Sequence, residues 1–411
     1  MGYRERIVTS RPEHTDQLEA APGAGRVGQP RLLRAINEQA LLNALRRFGR
    51  LTRAELAELS GLSKPTVGAA LVHLEGDGLV QVVGRRTGGR GPTALVYELR
   101  PDAGFVLALD VGSEFVRGGV ADLSGTIRAR GHRGVHAASG HVRMSGLVEL
   151  AGELVERAGI SLSSIVQTIV GSPGVHDPVH DVLTVARGLP GWERPGVLAD
   201  LRRSFGAATL VQNDVNLAAL AERDHGQGRG VETFAFVSVG TGVGMGLVLS
   251  GRLHTGAHGT AGEIAYLPIA TDDGIDLRDA RRRGALEAAA SAAGVVRAAR
   301  SRGMTGRLTA QRVFAAAAAG DERARAVVAG EALLVARAIA SVALVADPAL
   351  VILGGGIGGA PGFSDAVASA LAGLVPAPPE LRVSAFGSEA IVEGGIVAGV
   401  DLAWGKVLDR S

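Results

Sequence analysis

Residues 52–67, TRAELAELSGLSKPTV, are the stretch that decides how this chain is interpreted. Ala57 is small enough for two helices to cross closely, and Gly61, four residues later, permits the left-handed backbone of a tight turn. Ser63 is a residue type that caps helix N-termini, and Val67 is an apolar anchor for a second helix. The stretch therefore predicts a helix-turn-helix, whose second helix would enter the major groove of DNA.

Apolar residues at three- and four-residue spacing supply a small core for this unit. They are Leu41, Leu42, Leu45 and Phe48 from a preceding helix, and Leu56, Leu59 and Leu62 from the motif. The second helix is expected to tolerate Pro65 in its first turn and to end at Gly76 and Gly78.

A basic hairpin is predicted after the second helix, with strands at 79–83 and 94–99 and a turn at 84–92. A glycine-rich turn that carries arginines is typical of the wing of a winged helix. Residues 31–100 hold eleven Lys and Arg against six Asp and Glu, so their net charge of +5 exceeds the +2 of the whole chain. A winged helix-turn-helix domain is therefore expected at 31–100.

The candidate DNA contacts fall into two groups. Ser63, Lys64, Thr66 and Gly68 lie at the start of the predicted recognition helix and are candidates for contact with base edges. Arg85, Arg86 and Arg90 in the hairpin are candidates for contact with phosphates. The alternative interpretation is a three-helix packing module with a solvated arginine turn.

Composition limits the remaining possibilities. A chain of 411 residues is expected to form two or three domains, and the absence of cysteine excludes disulfides and thiolate zinc sites. Residues 1–30 are polar, contain no apolar segment of a signal peptide, and predict a disordered tail on a cytoplasmic protein. The most apolar run, 234–250, has glycines at 240, 242, 244 and 246, which suit two linked strands better than a membrane helix.

Residues 101–411 alternate strand and helix patterns and predict an α/β domain. Three glycine loops follow strands, and they contain Asp110 and Gly112, then Gly240, Thr241 and Gly242, then Gly354 and Gly355. Backbone N–H groups of such loops can approach phosphates closely. No acidic residue completes a dinucleotide fingerprint after Gly354, and no GxxxxGK[ST] loop occurs, so neither nucleotide motif is predicted.

Several ordered segments in this region resemble the ROK family (repressors, open reading frames, kinases). They are GLPGW at 188–192, QNDVNLAALAE at 212–222, GTGVG at 240–244, GAHGTAGE at 256–263 and a degraded block, GALE, at 284–287. The resemblance covers residues 31–411, including the winged helix of the repressor branch. It implies an actin-like, sugar-kinase-like fold of two lobes, with a small lobe at about 101–210 plus a C-terminal helix at 390–411, and a large lobe at about 211–389.

The resemblance also implies a sugar-binding cleft at Asn213, Asp214, Glu263, Tyr266 and Glu287. In the family's kinases the aspartate that matches Asp214 deprotonates the sugar hydroxyl, and a plain helix N-cap is the alternative role for this residue. Carboxylates and amides suit the task because each can bridge two hydroxyls. Tyr266 occupies the position of a family histidine that contacts sugar.

Two departures from the family pattern predict that the chain is not an enzyme and has no cofactor. In the first glycine loop, Glu114 stands where the kinases have threonine, and its carboxylate would repel phosphates. The glycine loops are therefore expected to be vestigial. The positions of the family's zinc ligands hold Tyr266, Arg278, Ala280 and Ala285, and the nearby arginines 281–283 are expected to form a solvated loop.

The motif and the resemblance together predict a transcriptional regulator, a repressor of genes for carbohydrate uptake or use. It would bind a palindromic double-stranded DNA operator as a homodimer or a dimer of dimers, with a sugar or sugar phosphate as effector and no membrane partner. One alternative is an ATP-dependent sugar kinase with an accessory DNA-binding domain, in which Asp214 would be the catalytic base. Another is a ligand-independent DNA-binding protein with a vestigial cleft.

Overall fold

The computed structural model of this chain describes residues 30–87, 93–135, 139–177, 180–184, 189–269 and 277–409. The predictions for the tail at 1–29, for Arg90 and for Gly188 lie outside the described residues.

A winged helix-turn-helix forms the N-terminal unit, as predicted. Its elements are α1 (Pro30–Phe48), β1 (Leu51–Thr52), α2 (Arg53–Ser60), α3 (Lys64–Gly76), β2 (Val80–Arg86) and β3 (Ala94–Leu99), with sheet order β1-β3-β2. Thr52 and Glu55 cap the start of α2 reciprocally, and Gly61, at φ 70°, ends it. Ser63 caps α3 by accepting a hydrogen bond from the Thr66 N–H.

Two predicted details of this unit are wrong. Phe48 and Leu59 are 52% and 46% exposed, because the sheet supplies Leu51 and Tyr97 to the core in their place. Strand β2 continues to Arg86, so residues 85 and 86 lie in a strand rather than in the turn. Helical spacing alone does not reveal either contribution of the sheet.

The small lobe is built on a five-stranded sheet of order β10-β7-β4-β5-β6, in which β4 is buried along its whole length. The elements of this lobe are β4 (Phe105–Val111), β5 (Phe115–Asp122), β6 (Ile127–Gly134), α4 (Gly140–Arg157), β7 (Ile165–Ser172), β8 (Val175–Asp177), β9 (Val182–Thr184), α5 (Val197–Phe205) and β10 (Thr209–Asn213). Since β10 pairs in parallel with β7, the small lobe continues to residue 213, slightly beyond the predicted boundary.

The large lobe has a second five-stranded sheet, of order β13-β12-β11-β14-β15. Its elements are β11 (Phe234–Val239), β12 (Val243–Leu249), β13 (Arg252–His254), α7 (Leu277–Arg283), α8 (Ala285–Ala290), α9 (Ala292–Ser301), α10 (Ala310–Ala318), α11 (Glu322–Ala346), β14 (Leu350–Gly354), α12 (Gly355–Gly358), α13 (Phe363–Leu371) and β15 (Glu380–Val383). The apolar run at 234–250 forms the antiparallel pair β11 and β12, as predicted.

Helix α11 is the one element among the described residues that is long and apolar enough to cross a membrane by length and composition. Half of its most apolar window is buried inside the large lobe. Val327, Val335 and Ile339 on this helix join the core that also contains Val351 and Leu353 of β14. This packing is that of a core helix.

Two helices, α6 (Asp214–His225) and α14 (Ala390–Asp409), pack against each other between the lobes. Helix α14 also joins the winged helix to the small lobe, because one continuous apolar cluster contains Leu41 and Leu45 of α1 and Val400 and Trp404 of α14. The Trp404 indole N–H donates to the Leu123 carbonyl oxygen at 2.9 Å. The winged helix-turn-helix therefore shares a core with the small lobe.

Candidate functional site

The start of helix α3 is the candidate surface for reading bases. Ser63 and Lys64 are exposed and Thr66 is half-buried. The Ser63 hydroxyl lies 2.8 Å from the Thr66 hydroxyl and also serves as the helix cap, so part of its hydrogen-bonding capacity is already used. Of the predicted base-contacting residues, Lys64 therefore presents the least committed polar group.

Gly68 differs from the other predicted base contacts. It is half-buried, and the guanidinium group of Arg53 lies where its Cβ would be, 2.6 Å from that position. This geometry favours a packing role over a base contact. Sequence reasoning missed Arg53, because nothing in the local pattern links α2 to the fifth residue of α3.

The two described wing arginines are in different situations. Arg86 Nη1 lies 2.6 Å from Glu55 Oε1 of the α2 cap, and this pair ties the wing to the helix-turn-helix. Arg85 is exposed. Both were predicted to contact phosphates. Arg85 could do so as it stands, whereas Arg86 would first have to break its ion pair with Glu55.

The N-terminus of α6 forms one side of the candidate sugar cleft. Asn213 caps the helix by accepting from the Asn216 N–H at 3.0 Å, and its side-chain amide donates to the Gly174 carbonyl at 3.2 Å. Asp214 Oδ1 accepts from the Val215 N–H at 2.8 Å. Burial raises the pKa of Asp214 to about 6, backbone hydrogen bonds oppose the rise, and the charge of Glu287 adds to it.

Glu263 belongs to the same group of carboxyls. Burial raises its pKa, and the charges of Asp214 and Glu287 raise it further. Gly284, at φ 94°, allows the start of α8 to pack closely on the turn after Glu263, because a Cβ there would lie 2.1 Å from the Ala265 carbonyl oxygen. Tyr266, in the short turn that follows Glu263, is 42% exposed.

Asp110, in strand β4 just before the first glycine loop, is a buried carboxyl. Burial raises its pKa to about 7, the charge of Asp214 adds to the rise, and Arg117, whose Nη1 lies 3.4 Å from Oδ2, opposes it. The loop itself is a tight hairpin in which the Gly112 N–H donates to the Phe115 carbonyl at 3.0 Å. Glu114 is exposed in this turn.

The second glycine loop is closed by an ion pair that the sequence did not predict. Glu287 Oε2 accepts from the Val243 N–H at 3.0 Å, and its Oε1 accepts from Arg283 Nε at 2.7 Å. Arg283 Nη2 also donates to the Thr241 carbonyl at 3.1 Å. Arg283 is only 17% exposed and ends helix α7, so the expected solvated loop is wrong at this residue.

The third glycine loop packs directly on the second. Gly355 has a φ of 78°, and a Cβ there would lie 2.4 Å from the Val239 carbonyl oxygen. A Cβ on Gly354 would lie 2.3 Å from the Phe236 ring. Both glycines are therefore explained by close packing of β14 on β11, and this explanation needs no phosphate.

Neither nucleotide nor zinc fits the residues present. In the second loop the Gly240 and Val243 N–H groups already donate to Gly242 and Glu287, and the bound carboxylate would repel a phosphate. The positions of the family's zinc ligands hold no thiolate and no imidazole, and the described residues contain no group of three or more His, Asp or Glu that could hold a metal ion.

Replacing Arg283 with Ala should lower the free energy of unfolding by roughly 2–3 kcal/mol, because it leaves the half-buried Glu287 without its cation. Urea unfolding would measure the loss, with Arg281→Ala as a control in the exposed part of the same helix. Equal losses in both variants would contradict this account of the ion pair.

Because the residues present do not fit zinc, a chelator should leave the wild-type melting temperature unchanged. A melting temperature that the chelator lowers would contradict the conclusion that no structural zinc is bound.

Comparison with known families matches both units of the chain. The ROK family model matches residues 106–395, and the MarR family model matches residues 34–91. A xylose repressor of Bacillus spizizenii is 23% identical over 239 residues, which are 58% of this chain and 61% of the repressor. A glucokinase of Halalkalibacterium halodurans is 29% identical over 211 residues, 48% of this chain and 63% of the enzyme. The chain thus spans about three fifths of the length of these relatives.

Solved structures give the same fold. A ROK family transcriptional regulator, described as a homologue of the E. coli MLC protein, superposes with a TM-score of 0.74 at 19% identity, over 92% of this chain and 98% of its own. A ROK hexokinase from Thermus thermophilus superposes with a TM-score of 0.60 at 28% identity, over 74% of this chain and 99% of its own. The predicted winged helix followed by a two-lobed sugar-kinase-like domain is therefore confirmed, and the chain belongs to the ROK family.

Proposed function

We propose that this chain is a DNA-binding transcriptional regulator that represses genes for carbohydrate uptake or use and responds to a sugar in the cleft. It would bind a palindromic operator as a homodimer or dimer of dimers, in the cytoplasm, without catalysing a reaction and without a cofactor. The observation that carries the proposal is the winged helix, whose exposed recognition-helix start is combined with a core shared with the small lobe.

A route from cleft to DNA-binding unit supports the regulatory part of the proposal. Helix α6 begins at Asp214 in the cleft and ends at Asp224 and His225, which line a cavity of about 570 Å³ beneath the winged helix. The other walls of the cavity come from α1, β3, the β5–β6 turn and α14. A ligand that shifts α6 would therefore act directly on the surface where α1 rests.

Arg46 of α1 lies at the end of this route. It forms a salt bridge with Asp401 of α14, and its pKa is lowered by burial, an effect that the charge of Asp224 opposes. The guanidinium group is therefore influenced by carboxylates from both interlobe helices. A change in the angle between α6 and α14 would alter the position of α1 and the spacing of the two recognition helices in a dimer.

The clustered carboxyls favour a neutral sugar over a sugar phosphate as the effector. Asp110, Asp214, Glu263 and Glu287 bring four carboxyl groups to this region, and among the described residues only Asp110 and Glu287 have an arginine partner there, Arg117 and Arg283. The raised pKa values of Asp110, Asp214 and Glu263 show that burial and the neighbouring carboxyls disfavour further negative charge here. Hydroxyl groups can donate to these oxygens, whereas a phosphate would be repelled.

Titration calorimetry against matched pairs of sugars and their phosphates tests whether the chain senses a sugar, and Asp214→Asn should abolish any binding observed. Absence of binding across the panel would leave a ligand-independent DNA-binding protein, and Tyr266→His would then test whether sugar affinity can be restored.

The kinase alternative rests on the retained Asp214, whose pKa of about 6 suits a general base. Glu114 and the carboxylate of Glu287 against the second glycine loop oppose it. A coupled assay for sugar-dependent ADP release decides between the two functions. Turnover in the wild type that Asp214→Asn removes would contradict the regulatory proposal.

Two substitutions should separate phosphate contact from base reading. Arg85→Ala is expected to weaken binding to all duplexes about equally and to lower the slope of log affinity against log salt by about one unit. Lys64→Ala is expected to relax sequence preference with a smaller effect on non-specific binding. Fluorescence anisotropy over a range of salt measures both. A sequence-selective loss in Arg85→Ala would contradict its assignment to phosphate.

A further inference from the structure

Arg53, the first residue of α2, holds the first turn of the recognition helix α3. Its Nε and Nη2 atoms donate to the Lys64 carbonyl oxygen at 2.9 and 2.6 Å. Because both donors belong to one rigid planar group, they restrict the angle as well as the distance between α2 and the start of α3. Lys64, whose backbone is held in this way, carries the exposed side chain best placed to read a base.

Gly68 makes this arrangement possible. A Cβ at this position would lie 2.6 Å from Arg53 Cζ and 2.7 Å from Nη2, and all three nearest atoms belong to the guanidinium group. Gly68 lies inside α3 and is not among the glycines with positive φ, so backbone freedom does not explain it. Glycine is also a poor helix former. The space that the missing side chain leaves for Arg53 explains why glycine fits here.

We propose that Arg53 is a positioning residue for sequence-specific DNA recognition, and that Gly68 leaves the space that its guanidinium group occupies. This inference rests on the proposed DNA-binding function. Arg53 acts through the Lys64 backbone: by holding the first turn of α3, it sets the direction of the Lys64 side chain. This direction matters because hydrogen bonds to base edges weaken steeply when their donor is rotated. Arg53 is exposed and has no ion pair within the described part of the chain, so no carboxylate there competes with the Lys64 carbonyl oxygen for its guanidinium group.

The test uses the duplex that the wild-type chain enriches most from a randomised pool of double-stranded DNA, and a shuffled duplex of the same composition. Gly68→Ala and Arg53→Ala should each reduce the ratio of the two affinities about tenfold. The double variant should lose no more than either single variant, because both changes remove the same contact. Gly76→Ala, in the same helix but with open space at its Cβ, should keep the wild-type ratio.

Thermal unfolding provides a second measurement that does not depend on DNA. Alanine favours helix, so Gly68→Ala should raise the unfolding temperature more in the Arg53→Ala background than in the wild type, where it also displaces the two hydrogen bonds. Additive losses of selectivity, or a Gly68→Ala variant with wild-type selectivity, would overturn the proposal. If the wild type enriches no duplex, the proposed function fails. An equal shift of the unfolding temperature by Gly68→Ala in both backgrounds would then also overturn the inferred contact between Arg53 and Gly68.

Discussion

Replacing Trp404 with Ala is expected to reduce the free energy of unfolding by about 3–5 kcal/mol and to remove sequence-selective DNA binding. The indole is 3% exposed in the apolar cluster that joins α1 to α14, and it donates to the Leu123 carbonyl oxygen. Its removal leaves a cavity and an unsatisfied carbonyl at the place where the winged helix is attached. The recognition helices of a dimer would then no longer be held at a fixed spacing.

Trp192 provides a matched control for this effect. It is fully buried in the small-lobe core, and its indole N–H donates to the Ser172 hydroxyl at 2.9 Å. Trp192→Ala should therefore destabilise the chain by a similar amount while the folded fraction keeps wild-type affinity for DNA. Urea unfolding and anisotropy at low temperature measure the two properties separately. Equal losses of DNA affinity in both variants would show that general instability, rather than attachment of the winged helix, is responsible. If the alanine variant does not fold, Trp404→Phe, which removes the donor and keeps a ring, replaces it.

Asp110→Asn is expected to stabilise the chain at pH 8 by up to about 4 kcal/mol, and the gain should shrink towards pH 4. The pKa of Asp110 is about 7 in the folded chain, well above the ordinary value for aspartate, because the side chain is buried and lies near Asp214. The folded state therefore binds a proton that the unfolded state has released. The resulting stabilisation is fully present below the unfolded pKa and is lost as pH rises through about 7, where the charged carboxylate is left in the core.

Asp122 tests whether this effect is specific to the environment of Asp110. It is also buried, at the other end of the same strand pair, but Arg128, the Ser124 N–H and the Thr126 N–H donate to its oxygens. Asp122→Asn should therefore destabilise the chain at pH 8. Chemical unfolding of both variants from pH 4.5 to 8.5 gives the comparison. A stability difference between Asp110→Asn and wild type that does not grow with pH would contradict the raised pKa.

The elements that the sequence predicted are those whose signals are local. Gly61 and Ser63 end and begin helices as expected, because a left-handed turn and a cap depend only on nearby residues. The two-lobed fold of the large region was implied by its resemblance to the ROK family, which ordered segments such as QNDVNLAALAE at 212–222 and GAHGTAGE at 256–263 carry. The two linked strands at 234–250 could also be predicted, since glycines at 240, 242, 244 and 246 disfavour a continuous helix.

The contacts that the sequence did not predict join residues distant along the chain. Arg283 reaches Thr241 across 42 positions, and Trp404 reaches Leu123 across 281. A run of arginines is typical of a solvated surface, and only the fold shows that one member turns inward to Glu287. The pairing of Arg53 with Gly68 has the same origin, because helix crossing is needed to bring a long side chain over a glycine on another helix.

The most direct test of effector-controlled DNA recognition is the affinity of the wild-type chain for its enriched duplex, measured by anisotropy with and without each member of a panel of neutral sugars. The account predicts that the enriched duplex binds more tightly than its shuffled counterpart, and that at least one sugar changes this affinity by about fivefold or more. Equal affinity for the two duplexes, or an affinity that no sugar in the panel changes, would contradict it.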